Sequence, residues 1–140
     1  MSHLFFMFIF LTTIGAAWMN VGTVSAIAAM QSTIIANDII KVNRMVDQVH
    51  TYMVTTGKAP ASLDDMITGG YWTAASNNNG LGGTYTLTVD TVRRQVLIQT
   101  TIADDQSRAS YLASNQHLWK PTDMGNGVVQ AQATLASDVP

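Results

Sequence analysis

The residue types that most often carry out chemistry in proteins are few in this chain and lie far apart. Beyond the first three residues the histidines are His50 and His117, and every acidic residue is Asp. The adjacent pairs Asp64–Asp65 and Asp104–Asp105 would project in different directions from a helix, so neither pair predicts converging carboxylates. Both pairs instead fit the acidic first turn of a short helix.

The remaining patterns do not form a recognisable catalytic or ligand-binding motif. Neither Ser62 nor Ser107 has a His at a spacing that would indicate a catalytic pair. Arg93–Arg94 is typical of a solvated hairpin tip. The Gly-rich stretch Asn79–Gly83 lacks the Lys-Ser/Thr of a phosphate-binding loop and precedes a predicted strand rather than a helix. The absence of Cys excludes disulfides, a thiolate zinc site and a cysteine nucleophile. We therefore expect a non-enzymatic chain with no cofactor and no metal.

Charge is scarce and unevenly placed. The 140 residues carry a net charge of −2, with 11% charged and 47% hydrophobic residues, and the first charged residue is Asp38. Nucleic-acid binding calls for a basic face, so no nucleic-acid partner is expected. The uncharged segment Leu4–Val24 would reach about 30 Å as a helix, which is the thickness of the hydrocarbon core of a bilayer. It predicts a single transmembrane helix in contact with membrane lipid, with residues 1–30 as the anchor.

A cleaved secretory signal is the alternative for this segment, because Ala26–Ala28 offers the small residues of a cleavage site. In that case the mature protein would be a small secreted hydrolase or ligand-binding domain. The basic region that precedes such a signal is missing, and the apolar run is longer than usual. Within an anchor, two rows of small residues spaced by four could support association between helices. These rows are Gly22 with Ala26 and Ser25 with Ala29.

Residues 31–140 are predicted to form an α+β domain that begins with an amphipathic helix. Apolar residues recur at alternating steps of four and three, and Ile40, Met45 and Tyr52 widen this stripe. The helix-packing stripe comprises Ile35, Ile39, Val42, Val46, Val49 and Met53. Polar residues including Asp38 occupy the opposite side. The stripe predicts packing on the domain itself or, alternatively, on a second copy or another helix in a bundle.

No Gly or Pro separates the apolar segment from the stripe, so one helix is expected from about Leu4 to Thr55, ending at Gly57. A short helix follows with Ser62 and Asp65 in a capping-box spacing. Alternating residues predict a hairpin of strands Thr84–Val89 and Val96–Ile102, a short helix after Asp104–Asp105, and a last strand Val128–Leu135. Trp72 and Trp119 are expected as core anchors or as a contact patch. This order predicts a long helix on a small antiparallel sheet.

The layout resembles the type IV pilins. The stretch from Tyr52 to Met66, followed by Gly70–Tyr71, is similar to the segment after the first helix of many pilins and pseudopilins. In those proteins a Tyr precedes a Gly-x-x-Pro turn, and Ser-Leu opens a short helix that ends in Gly-Tyr. Pilins carry a Glu as the fifth residue of the mature chain, where this sequence has Phe5, and a basic leader that this sequence lacks.

An unprocessed N terminus before a pilin-like domain is closer to the PilM proteins of conjugative thin-pilus (type IVB) systems. That resemblance implies an inner-membrane component of the pilus basal body or assembly apparatus. It also implies a periplasmic C-terminal domain that has other pilus or conjugation assembly proteins as partners. A minor pilin or pseudopilin filament subunit is the alternative that the same layout allows.

Overall fold

A computed structural model of the chain describes residues 2–114, 119 and 121–135, with side chains from residue 25 onward. Three helices are α1 (Ser2–Thr56), α2 (Leu63–Thr68) and α3 (Asp105–Ser114). Four strands are β1 (Tyr85–Asp90), β2 (Gln95–Thr101), β3 (Thr122–Gly125) and β4 (Val128–Thr134). One 3-10 turn covers Ala74–Ser76. The predicted α+β class with one long N-terminal helix is therefore confirmed.

The chain divides into two units, Met1–Thr33 and Ile34–Pro140. The first unit is the N-terminal part of α1, and its side chains from Ser25 to Met30 are exposed. The predicted anchor Leu4–Val24 lies outside the residues whose side chains are described. Across the described residues, no helix combines enough length with enough apolar character to cross a membrane. The boundary expected between residues 30 and 31 stays a prediction.

The second unit contains one four-stranded sheet in the order β1-β2-β4-β3, in which all neighbouring strands are antiparallel. The register places Leu87 opposite Ile98 and Ile98 opposite Ala131, and all three side chains are buried. This face carries the alternation that predicted the strands. β3 was not predicted; its four residues are all exposed, and its apolar content is too low to produce a strand pattern.

The second hairpin explains how β3 forms despite its composition. Asn126 and Gly127 connect β3 to β4, and both have positive φ, at 52° and 77°. Positive φ at both central residues is the geometry of the turns that match strand twist, and Asn-Gly is the preferred pair there. The turn therefore holds β3 beside β4 without a buried apolar face.

Helix ends follow local chemistry. α1 ends where Gly57 adopts a φ of 68°, and the Gly57 N–H donates to the Met53 carbonyl oxygen at 2.8 Å. The capping box expected for α2 is wrong, because the Ser62 side chain makes no capping hydrogen bond. Instead, the Asp65 carboxylate reaches past Ser62 and accepts the Ala61 N–H at 2.8 Å. The acid thus satisfies a donor that precedes the helix.

Candidate functional site

The apolar face of α1 within the second unit is the first candidate site. Val42, Val49 and Met53 are at most 1% exposed and share a core with side chains of α2 and the sheet. Ile35 is buried in a second, smaller cluster, and Ile39 packs against that cluster. The core that contains Val42, Val49 and Met53, which we call the main cluster, makes the helix an integral part of the domain. Val46 completes the stripe and packs against the main cluster.

On one side, the buried stripe of α1 is narrower than the sequence predicted. Ile40 was expected to widen it, but the side chain is 63% exposed. Met45 is fully buried and Tyr52 packs against the main cluster, as the spacing predicted. The buried face of the helix is therefore centred closer to Met45 than the sequence predicted, and Ile40 lies on the solvent side.

The buried face of α1 also includes a charged residue that the sequence pattern placed on the polar side. Asp38 is 1% exposed, so its predicted position is wrong. The Tyr85 hydroxyl of β1 donates a hydrogen bond to Asp38 Oδ1, and Tyr85 is itself buried. A sequence signal did exist, because Asp38 lies three residues after Ile35 and shares its helix face.

The protonation of Asp38 is governed by its surroundings. Burial raises the pKa of the Asp38 carboxyl group to about 6. A hydrogen-bonding interaction with Tyr111 of α3 and the positive charge of Lys41 lower this pKa, but burial outweighs them. Asp38 Oδ2 has no hydrogen-bond partner among the described residues. The carboxyl group therefore holds its proton up to about pH 6, and its ionised form leaves one oxygen unsatisfied.

Asn79 is also a buried polar residue. The sequence pattern predicted only that it lies in a loop. Its side-chain amide donates to Thr100 Oγ1 and to the Thr101 carbonyl oxygen, each at 2.8 Å. Its Oδ1 accepts the N–H groups of Leu81 and Gly83, also at 2.8 Å. Two of these bonds fasten the Gly-rich loop to β2, and the other two hold the loop itself in shape. The loop is thus an architectural element built around one amide.

Close backbone approach explains the glycine that ends this loop. A Cβ atom at Gly83 would collide with the Thr101 carbonyl oxygen, so the loop and β2 meet where only a hydrogen atom fits. On the helix side, Lys41 Nζ donates to the Asn78 carbonyl oxygen at 2.6 Å. The loop therefore bridges α1 and the sheet.

The other charged candidates take local structural roles. Asp104 Oδ2 accepts the Ser107 N–H at 2.7 Å, and hydrogen bonds with the Ser107 side chain and N–H lower the pKa of Asp104. Asp104 thus caps α3 from the position before the helix, whereas Asp105 is the acid in the first turn. At the first hairpin, Asp90 accepts the Arg93 N–H at 2.9 Å and pairs with its guanidinium at 3.2 Å. Asp64 is exposed in the first turn of α2.

The two tryptophans with described side chains take different positions. Trp72 is buried in the main cluster. Trp119 packs against that cluster and donates from Nε1 to Asn43 Oδ1 at 2.8 Å, which ties its loop to α1. His50 on α1 is partly exposed, and His117 lies outside the described residues. Among the described residues, no group of three or more acidic or His side chains could hold a metal ion.

The small-residue rows lie at the N-terminal unit. Ser25, Ala26 and Ala29 are exposed on α1, whereas the Gly22 position is outside the described side chains. Exposed apolar residues accompany them, with Ile27 at 59% and Met30 at 67%. The association of helices through these rows stays a prediction.

Comparison with known proteins adds no family assignment. No family model matches the chain, and neither a curated protein nor a solved structure matches it.

Proposed function

We propose that this chain is a non-enzymatic, membrane-anchored structural component of a type IV or conjugative pilus assembly apparatus, similar to the PilM proteins. The observation that carries the proposal is the use of one helix for two purposes. The part of α1 from Val42 to Met53 completes the core of a four-stranded antiparallel sheet, while the same helix continues toward the N terminus as an apolar segment. This division of one helix is similar to the layout of the pilins.

The sequence supports the anchor. Leu4–Val24 carries no charge and has the length of a bilayer core, and no Pro interrupts the helix before Thr56. A polar domain that follows an uncleaved anchor is most simply translocated, which favours a bacterial inner membrane with the domain in the periplasm. Other pilus or conjugation assembly proteins are the partners that this location would supply.

The uses of the ionisable groups support a structural role. Asp65 satisfies a backbone donor before α2, Asp90 holds a hairpin tip, and Asp104 caps α3. Each of these carboxylates stabilises local structure. The carboxyl group of Asp38, which is buried, joins the helix to the sheet.

The proposal is tested by deleting the gene in its native host and counting surface pili and conjugative transfer in liquid culture. We expect both to be lost and to be restored by the full chain. A chain with Ile14→Arg places a charge in the centre of the anchor and should fail to restore them, because it no longer stays in the membrane. The matched control Ser32→Arg, at an exposed position outside the anchor, should restore both. Unchanged pili and transfer after deletion would overturn the proposal.

Location is tested separately in the same strains. We expect the full chain to remain in the membrane after alkaline carbonate washing, and a reporter fused after Pro140 to be active only in the periplasm. Release of intact protein by the wash would overturn the anchor. A reporter active only in the cytoplasm would overturn the orientation.

A filament subunit is the second candidate, and the exposed apolar residues of the N-terminal unit favour it. Ile27 and Met30 are more than half exposed, and packing of such helices inside a filament would remove them from water. Sheared pili distinguish the two functions. An assembly component stays with the washed membrane, whereas a filament subunit appears in the sheared pilus fraction.

A further inference from the structure

The core of the second unit is divided into two clusters that α1 enters at different places. The main cluster receives Val42, Met45, Val49 and Met53. The smaller cluster consists of Ile35, Ile102, Tyr111 and Val129, with Ile39 packed against it. Because the clusters are separate, the segment Ile34–Lys41 of α1 can leave the smaller cluster while the main cluster holds the rest of the helix.

A buried carboxyl group lies within the helix segment that contacts the smaller cluster. Asp38 is held by Tyr85 from β1, and Tyr111 from α3 and Lys41 from α1 also act on it. The unpartnered Oδ2 means that the ionised carboxylate is poorly solvated when the segment is docked. Once the segment separates from the sheet, water satisfies both oxygens.

The other charged groups of the neighbouring helix are engaged with one another. On α3, Arg108 pairs with Asp105 at 2.6 Å and with Asp123 of β3 at 3.4 Å, and Asp104 caps the helix. The loop that covers this part of α1 contributes Asn78 and Asn79, which do not titrate. The proton on Asp38 is therefore the variable charge at this contact.

We propose that the Ile34–Lys41 segment is a proton-controlled latch, docked on β1 and α3 when Asp38 is protonated and loosened when Asp38 is ionised. The direction follows from linkage. A carboxyl group whose pKa is raised by docking binds its proton more tightly in the docked state, so protons favour docking. With a docked pKa of about 6, docking is about tenfold more favourable at pH 5 than at pH 7.5.

The latch is tested by thiol labelling of the full chain in detergent, because the chain contains no Cys of its own. Ile35→Cys reports on the smaller cluster, and Val49→Cys reports on the main cluster. Each variant is labelled with 4,4′-dithiodipyridine from pH 5 to pH 7.5, and its rate is divided by that of the same variant unfolded in urea. We expect protection at position 35 to fall about tenfold as the pH rises. Protection at position 49 should exceed protection at position 35 at every pH, because position 49 is exposed only when the main cluster opens.

Three substitutions, one of them a control, connect the effect to the proposed group. Asp38→Asn is neutral at every pH and should remove the pH dependence at position 35. Asp47→Asn, at an exposed acid on the same helix, should leave it intact. Tyr111→Phe removes a group that favours the ionised form, so the midpoint should move to higher pH.

Three results would overturn the latch. They are equal protection at positions 35 and 49, persistence of the pH dependence in Asp38→Asn, and an unmoved midpoint in a folded Tyr111→Phe protein. The comparison of positions 35 and 49 needs no substitution of Asp38, so the test stands even if Asp38→Asn does not fold. The outcome is independent of the pilus proposal, because it is measured on the isolated chain.

Discussion

The hydroxyl group of Tyr85 donates a hydrogen bond to the buried carboxyl group of Asp38, across 47 positions of sequence. This bond joins the first strand of the sheet to the long helix. Because a buried carboxylate is costly unless it is satisfied, the contact makes the stability of the domain depend on pH as well as on packing.

The Asp38→Asn substitution should remove one pH-dependent contribution to stability. Burial raises the pKa of Asp38 from its ordinary 3.8 to about 6, so the folded chain holds a proton that the unfolded chain has lost between these values. Stability from this group is thus present at low pH, falls as the pH rises through that window, and stays reduced above pH 6. The full loss is on the order of 3 kcal/mol.

This contribution is the difference in the free energy of unfolding between the parent chain and Asp38→Asn. It is measured in detergent by urea unfolding from pH 4.5 to pH 8, followed by circular dichroism. The variant should gain stability relative to the parent as the pH rises to 6, and the difference should then level off. A difference that is flat across the range would contradict the raised pKa of Asp38.

The Tyr85→Phe substitution should destabilise the domain, and more so above pH 6 than below it. Removing the donor from a buried acceptor costs about 1–3 kcal/mol, and the ionised carboxylate suffers more than the neutral acid. Tyr52→Phe is the matched control, because Tyr52 is only partly buried and contributes its ring to an edge contact with Tyr71. The control should change the free energy of unfolding by less than about 0.5 kcal/mol. Equal effects of the two variants would argue against the bond.

The Val49→Ala and Val54→Ala substitutions compare the two faces of α1 with identical chemistry. Val49 is fully buried and Val54 is 56% exposed. Deleting two buried methyl groups and leaving a cavity should cost about 2 kcal/mol, whereas the exposed position should change by less than about 0.5 kcal/mol. Urea unfolding at one pH measures the change in the free energy of unfolding for both variants. A reversed order would place the helix in a different rotation on the sheet.

The Asn79→Ala substitution should damage the loop before β1. It removes four hydrogen bonds at one buried side chain and leaves donors and acceptors unsatisfied, at a cost of about 2–4 kcal/mol. Asn78→Ala tests the exposed neighbour, whose Oδ1 accepts only the Gly80 N–H, and should cost about 1 kcal/mol or less. Hydrogen exchange of the Leu81 and Gly83 amides is the local readout. Unchanged protection at both amides in Asn79→Ala would refute its role as the loop anchor.

Local patterns predicted most of the architecture. Strict alternation located three of the four strands, the 3-4 spacing located the buried face of α1, and Gly57 marked its end. These features depend on residues close in sequence, so a single chain is enough to detect them. β3 was missed because its residues are all exposed and carry no alternating signal.

The buried polar residues were not predictable in the same way. Asp38 shares a helix face with Ile35, but an acid at that position is accommodated in the core only because Tyr85 and Tyr111 are supplied by two distant elements. Asn79 is one of three consecutive Asn residues, and only the fold decides that its amide is the one directed at β2. Long-range partners thus determine the chemistry of both residues.

The short strand β3 limits how the sheet can extend. Its register shifts between Asp123 and Gly125, and Asp123 places a charge on an edge of only four residues. Irregularity, brevity and charge together discourage a foreign strand from adding there. Copies of this domain crowded at high local concentration are therefore protected, along that side, from growing into a continuous intermolecular sheet.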